Sequence, residues 1–206
     1  KWSPDGKRFA TASYDHSVKI YEEQSADENV TWVEVKKLEF AEAVESIVWT
    51  HDGSFLIVSV RKDNYLHYFN PESWAETKFN MNASQQDDHV SFTAMDLHLS
   101  SDGKRLLVST DKNRVIMFQT GTPLQIRNFY DVPNGEWSTP RAVFNHSGSY
   151  IYVSSEDKSI HVYDTTTANK ITILQGHTNN IRDLASHPSL DIIASGSFDK
   201  SVRIWQ

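Results

Sequence analysis

Cysteine is absent from the chain, which excludes disulfides, thiolate metal sites and thiol catalysis and favours a reducing compartment. Long apolar runs are absent too. Nothing approaches the roughly 18 consecutive apolar residues of a membrane-spanning helix, and no signal-like apolar region is present. Positive charge is scarce: 20 Lys and Arg stand against 27 Asp and Glu, a net charge of -7. That balance argues against broad binding to a phosphate backbone, which needs a basic stripe. No glycine-rich loop resembles a phosphate cradle, and no acidic loop has calcium-binding spacing. What remains is a 206-residue chain, 38% hydrophobic and 12% aromatic, ordinary for a soluble, strand-rich protein that buries a core.

The strongest positive feature is repetition. Gly6, Gly53, Gly103, Gly148 and, in the same slot, Leu190 precede short apolar runs and recur at steps of 47, 50, 45 and 42 residues. Each run, such as Phe55-Leu56-Ile57-Val58 or Tyr150-Ile151-Tyr152-Val153, suits a strand buried on both faces. A second strand follows and ends on an aromatic: Tyr21, Tyr68, Phe118, Tyr163 and Trp205. Between the two strands stand Asp15, Asp63, Asp111, Asp157 and Asp199, whose side chains can bond the backbone of a tight turn. The second block carries one extra residue here, and in the third the Asp falls one place early. Less regular strands connect the blocks, among them Trp32 to Glu39 and Lys170 to Leu174. Two connections, Glu22 to Asn29 and Asn80 to His89, are long and polar and read as solvated surface insertions.

The last block, from Gly176-His177 through Ser195 and Asp199 to Trp205, resembles one repeat of the WD-repeat β-propeller family, and the four upstream blocks are fainter copies. The resemblance implies an all-β fold, a β-propeller of WD-repeat type with about five four-stranded blades represented. Blade cores are expected near residues 3–21, 50–69, 100–118, 145–163 and 187–205. It also implies a structural tetrad of His177, Ser195, Asp199 and Trp205. A buried turn carboxylate needs donors and a buried indole N–H needs an acceptor, so the grouping is physically reasonable in its own right. Only the last block has the Gly-His pair, and the final Trp is replaced upstream. The first four blades are therefore expected to rely more on apolar packing. The sequence opens at Lys1-Trp2, which reads as the end of an innermost strand, and Gln206 follows the third strand of the last block. The expectation is an incomplete arc of a ring, seven-bladed in most of the family, closed by further chain or by a partner.

A catalytic reading of His177, Ser195 and Asp199 is disfavoured, because a nucleophilic Ser needs an exposed oxyanion pocket and a free base. His51, His146 and His187 occupy the same slot in different blades, which spreads them around one face, so no metal is expected; nor does any motif call for a cofactor. Three glycosylation sequons, at Asn29, Asn82 and Asn145, are about the number that chance gives. The resemblance instead points to a face that binds other proteins. Its contact positions map to Tyr14, Lys62, Glu156 and Phe198 in the turns and to Glu45, Met95, Trp137, Asn180 and Arg182 where inner strands begin. Aromatic and Arg side chains make good interface anchors. The expected function is a non-catalytic, cytoplasmic or nuclear scaffold for peptide segments or domains of a multiprotein complex. Two alternatives stand beside it. One is an enzyme or small-ligand binder using the central channel, which needs a perturbed acid and base there. The other is a subunit of a nucleic-acid-associated complex, which needs Lys62, Arg114, Arg141 and Arg182 on one face.

Overall fold

The computed structural model describes residues 1–26, 29–82, 84, 92–134 and 139–206. Among them all regular structure is β, in five antiparallel sheets that follow one another along the chain. The first holds β1 (Arg8–Ala12), β2 (Ser17–Ala26) and β3 (Asn29–Glu39), with Trp2 bridging Phe9 on the inner edge of β1. The second holds β4 (Val44–Trp49), β5 (Leu56–Val60), β6 (Tyr65–Phe69) and β7 (Glu76–Asn80). The third holds β8 (Ala94–Leu99), β9 (Arg105–Thr110), β10 (Arg114–Gln119) and β11 (Gln125–Tyr130). The fourth holds β12 (Ala142–Phe144), β13 (Tyr150–Ser154), β14 (Ile160–Asp164) and β15 (Lys170–Leu174). The fifth has three strands, β16 (Ile181–Ser186), β17 (Ile193–Ser197) and β18 (Val202–Trp205). The arrangement is an incomplete WD-type β-propeller, an arc of five blades whose first strands line the inside.

The apolar runs are continuous because each second strand faces two neighbours at once. In β5, Leu56 and Val58 join the core shared with the first blade, while Ile57 joins the core shared with the third. In β9, Leu106 and Val108 face backward into the second blade and Leu107 forward into the fourth. Alternate side chains thus serve opposite seams, a period of two read out as two interfaces. Four such cores join the blades in sequence.

The turns between first and second strands also interlock. Gly103 and Gly148 have φ of +69° and +70°, where a β-carbon is strained. Each is covered by the preceding blade: His51 lies against Gly103, and the Arg105 guanidinium lies over Gly148, donating from Nη1 to its carbonyl at 2.9 Å.

One feature departs from the sequence reading. Most of the Glu22 to Asn29 connection is not a loop. β2 and β3 stay paired out to Ala26 and Asn29, well beyond β1, as a two-stranded ribbon. The Asn80 to His89 connection lies mostly outside the described residues. The two end sheets also present open faces. Val18 and Ile20 are fully buried against the second blade, whereas their counterparts by register in the last blade, Val202 and Ile204, are 73% and 62% exposed. On the first blade Trp2, Phe9, Tyr21 and Trp32 form one aromatic cluster on the face away from the second blade, with ring centroids 4.9–5.2 Å apart.

Candidate functional site

The last blade carries a directional chain of hydrogen bonds. The Trp205 indole N–H donates to Ser195 Oγ at 2.9 Å; Ser195 Oγ is 2.7 Å from His177 Nε2; His177 Nδ1 is 2.7 Å from Asp199 Oδ2. The indole can only donate and the ionised carboxylate only accept, so the hydroxyl proton points to His177 and the imidazole proton to Asp199. Asp199 also accepts from Ser201 Oγ and from the Thr178 and Ser201 backbone N–H groups. The Ser201 hydroxyl first, with His177 and the backbone donors, holds this carboxyl far below the usual range. Ser195 and His177 are buried, and the Ser195 hydroxyl, both His177 ring nitrogens and the Trp205 indole N–H are each committed to a neighbour within the network. Nothing here is free to attack a substrate.

The upstream blades, expected to rely more on apolar packing, also carry polar ties to their turn carboxylates. In the second and fourth blades a histidine reaches the turn carboxylate from the third strand. His161 Nε2 lies 2.8 Å from Asp157, and His67 Nε2 lies 3.0 Å from Asp63 while its Nδ1 meets Glu76 at 2.6 Å. Both histidines are buried. The signal is an Asp four residues before a His, present in both blocks, and it is visible only once the third strand is searched for donors.

The candidate contact residues share one backbone device. In three inner strands the register slips across Glu45, Met95 and Arg182, leaving each as the extra residue of a β-bulge. A bulge re-aims a side chain, and here the three go to different places. Arg182 is exposed and lies over the Phe198 ring, 4.9 Å from its centroid, while donating to Thr139 Oγ1. Glu45 turns inward, accepting from Arg61 and from Tyr14 Oη at 3.3 Å, which ties the first blade to the second. Met95 is 6% exposed and packs in the interior, out of reach of a partner. Phe198 and Tyr14 stand out at 58% and 64% exposure, each with a guanidinium over its ring, Arg182 and Arg61 respectively. Lys62 and Asn180 are exposed and Glu156 half-buried, its N–H donating to the Pro133 carbonyl. Trp137 lies outside the described residues.

The inner strands of all five blades line an open channel of about 460 Å³. Asp96 spans three blades there: Arg141 Nη1 donates to it at 2.9 Å and Ser46 Oγ at 3.2 Å. Burial pushes its carboxyl up against the pull of Arg141, and burial brings the His98 imidazole down to about 4. Of the four basic residues of the nucleic-acid alternative, Arg141 is bound to Asp96 in this channel, and Arg114 and Arg182 lie over Phe92 and Phe198. Among the described residues no three His, Cys, Asp or Glu side chains gather as metal ligands.

Comparison with known proteins agrees with this geometry. The family described as WD domain, G-beta repeat matches residues 1–22, 135–164 and 168–206. The WD repeat-containing protein 26 homolog of Arabidopsis thaliana is 25% identical over 99% of the chain, which covers 32% of that protein. WD repeat-containing protein 82 of Drosophila melanogaster is 31% identical over 48% of the chain and 32% of its own length. The guanine nucleotide-binding protein subunit beta of Schizosaccharomyces pombe (strain 972 / ATCC 24843) is 31% identical over 43% of the chain and 32% of its own length. The chain thus spans about a third of the length of these relatives. With its repeated blades, its interlocked turns and the hydrogen-bonded His, Ser, Asp and Trp of the last blade, the chain belongs to the WD-repeat family.

Proposed function

We propose that the chain is a non-catalytic protein-interaction scaffold, and that the propeller face carrying Tyr14, Phe198 and Arg182 binds peptide segments or domains of a multiprotein complex. The observation that carries this reading is the pair of exposed aromatics under guanidinium groups. A stacked arginine costs a partner less side-chain ordering and offers cation and ring together, the combination that dominates interface energetics. Trp137 belongs to the same proposal by its place in the sequence. The open faces at Val202, Ile204 and the Trp2 cluster fit further blades, from additional chain or from a partner, because identical positions elsewhere in the arc are covered by blades. The lack of cysteine accords with the cytoplasm or nucleus. The test is capture of partners by the intact protein and by its Tyr14→Ala and Phe198→Ala variants. Weaker capture with unchanged melting supports the proposal; unchanged capture by both sinks it.

A second reading, a small-ligand site in the channel, draws on Asp96 and His98, a displaced acid and base on one strand. Asp96, however, is already held by Arg141 and Ser46, a role that joins blades. Ligand-dependent quenching or shifts of channel residues in a metabolite screen would favour this reading over the scaffold.

A further inference from the structure

Between the outer strands of the first and second blades runs a groove of about 430 Å³. Its floor is apolar and aromatic. Phe40, just beyond β3, meets His67 edge-on at 5.4 Å and Phe69 at 6.0 Å between ring centroids. His67 is fixed in place by Asp63 and Glu76, which spends two of the groove's carboxylates on the floor itself.

The rim is different in character. Lys36, Lys37, Lys62 and Lys78 line it in a chain whose net charge is -7. Lys37 is tightly paired with Glu39 at 2.7 Å. Lys62 and Lys78 stand 3.5 and 3.6 Å from Glu42 and Glu76, longer than a charge-assisted hydrogen bond, so their donors are largely unspent. Lys36 has no carboxylate within 4 Å among the described residues. It shares a face of β3 with Leu38 and Phe40, which aims it at the groove. The fifth cation, Arg61, is turned away to Glu45 and so links the groove to Tyr14 on the proposed binding face.

We propose that this groove docks an acidic segment of a partner protein. One large apolar side chain seats on Phe40 and Phe69, and flanking carboxylates are bracketed by Lys36, Lys62 and Lys78. The proposal rests on the peptide-binding reading of the adjoining face and extends it over the rim. The charge pattern selects this occupant. An apolar floor alone would suit any hydrophobic segment, but desolvating three incompletely paired ammonium groups is costly unless the ligand brings anions. A polyphosphate backbone would match the lysines and leave Phe40 and Phe69 without a partner.

The test is fluorescence anisotropy on the full chain, with a labelled peptide of one phenylalanine flanked by glutamates and a control in which glutamines replace the glutamates. The acidic peptide binds, the glutamine peptide does not, and rising salt weakens binding. Lys36→Glu with Lys78→Glu lowers affinity by about tenfold or more; Lys104→Glu on the opposite face does not. If the double reversal melts early, Lys36→Gln with Lys78→Gln gives the same reading with less strain. Equal binding of the two peptides, an equal effect of Lys104→Glu, or loss of self-association or oligonucleotide binding in place of peptide binding overturns the proposal. A silent groove variant beside a Phe198→Ala variant that still loses partner capture removes the groove and leaves the binding face standing.

Discussion

Removing one oxygen in the last blade separates the structural network from ordinary packing. In Ser195→Ala the Trp205 indole N–H and the His177 Nε2 lone pair lose their shared partner together. An unpaired buried polar group costs about 1–3 kcal/mol. His177 is buried and bears the larger loss, while the half-buried indole can recover water, so a total of about 2–3 kcal/mol is expected. For a chain of this size that is roughly 5–10 °C in melting temperature. The control is built into the repeat. Ser109 stands on the second strand of the third blade, one position beyond the slot of Ser195 and level with Gly196, and its buried hydroxyl has no hydrogen-bond partner among the described residues. Ser109→Ala therefore removes an uncompensated polar group and is expected to be neutral or slightly stabilising. Calorimetry and urea unfolding of both variants supply the comparison. Equal shifts in the two, or no shift in Ser195→Ala, would refute the argument that the chain of hydrogen bonds stabilises the blade.

Three further outcomes follow from the same geometry. Gly148→Ala and Gly121→Ala both place a β-carbon at positive φ, about 1 kcal/mol or more each, but only at Gly148 does the new atom collide with Arg105; chemical denaturation should show the larger loss at Gly148, and parity would deny the interlocking of turns. His98 has its imidazole brought from 6.5 to about 4 by burial, so the unfolded chain binds the extra proton first. Stability from this group is full above pH 6.5 and declines toward pH 4, by about 3 kcal/mol in all; a pH series in which His98→Gln keeps the wild-type slope would contradict this. Arg141→Ala strands the Asp96 carboxylate across three blades and should cost about 3 kcal/mol, mostly restored by adding Asp96→Asn; no restoration would mean that the pair is not the source.

The parts of this fold that repeat were legible in the sequence, because a buried second strand and an Asp-bearing turn each leave a fixed residue type at a fixed step. Leu56, Ile57 and Val58 needed only to be apolar to announce two interfaces. The parts that break period were not legible. A β-bulge adds one residue without changing composition, so nothing in Glu45, Met95 or Arg182 shows that one faces a neighbouring blade, one the interior and one solvent. The paired ribbon of β2 and β3 was hidden for a related reason, since its polar residues satisfy one another through the backbone and need no apolar face. His67 and His161 were overlooked because they do in the third strand what the Gly-His pair does in the last blade from the loop before it. Among the candidate contacts, aromatic exposure at Tyr14 and Phe198 depends on what lies beside each turn, which spacing along the chain does not encode.

The central claim is that the face bearing Phe198 and Tyr14 meets the partner. The most direct measurement places a photo-crosslinking side chain at position 198 or 14, and separately at position 104 on the opposite face, in the intact protein within cells. Adducts with a discrete partner protein from 198 and 14, and none from 104, are the predicted result. Adducts from 104 alone, or in equal yield from both faces, would contradict the account.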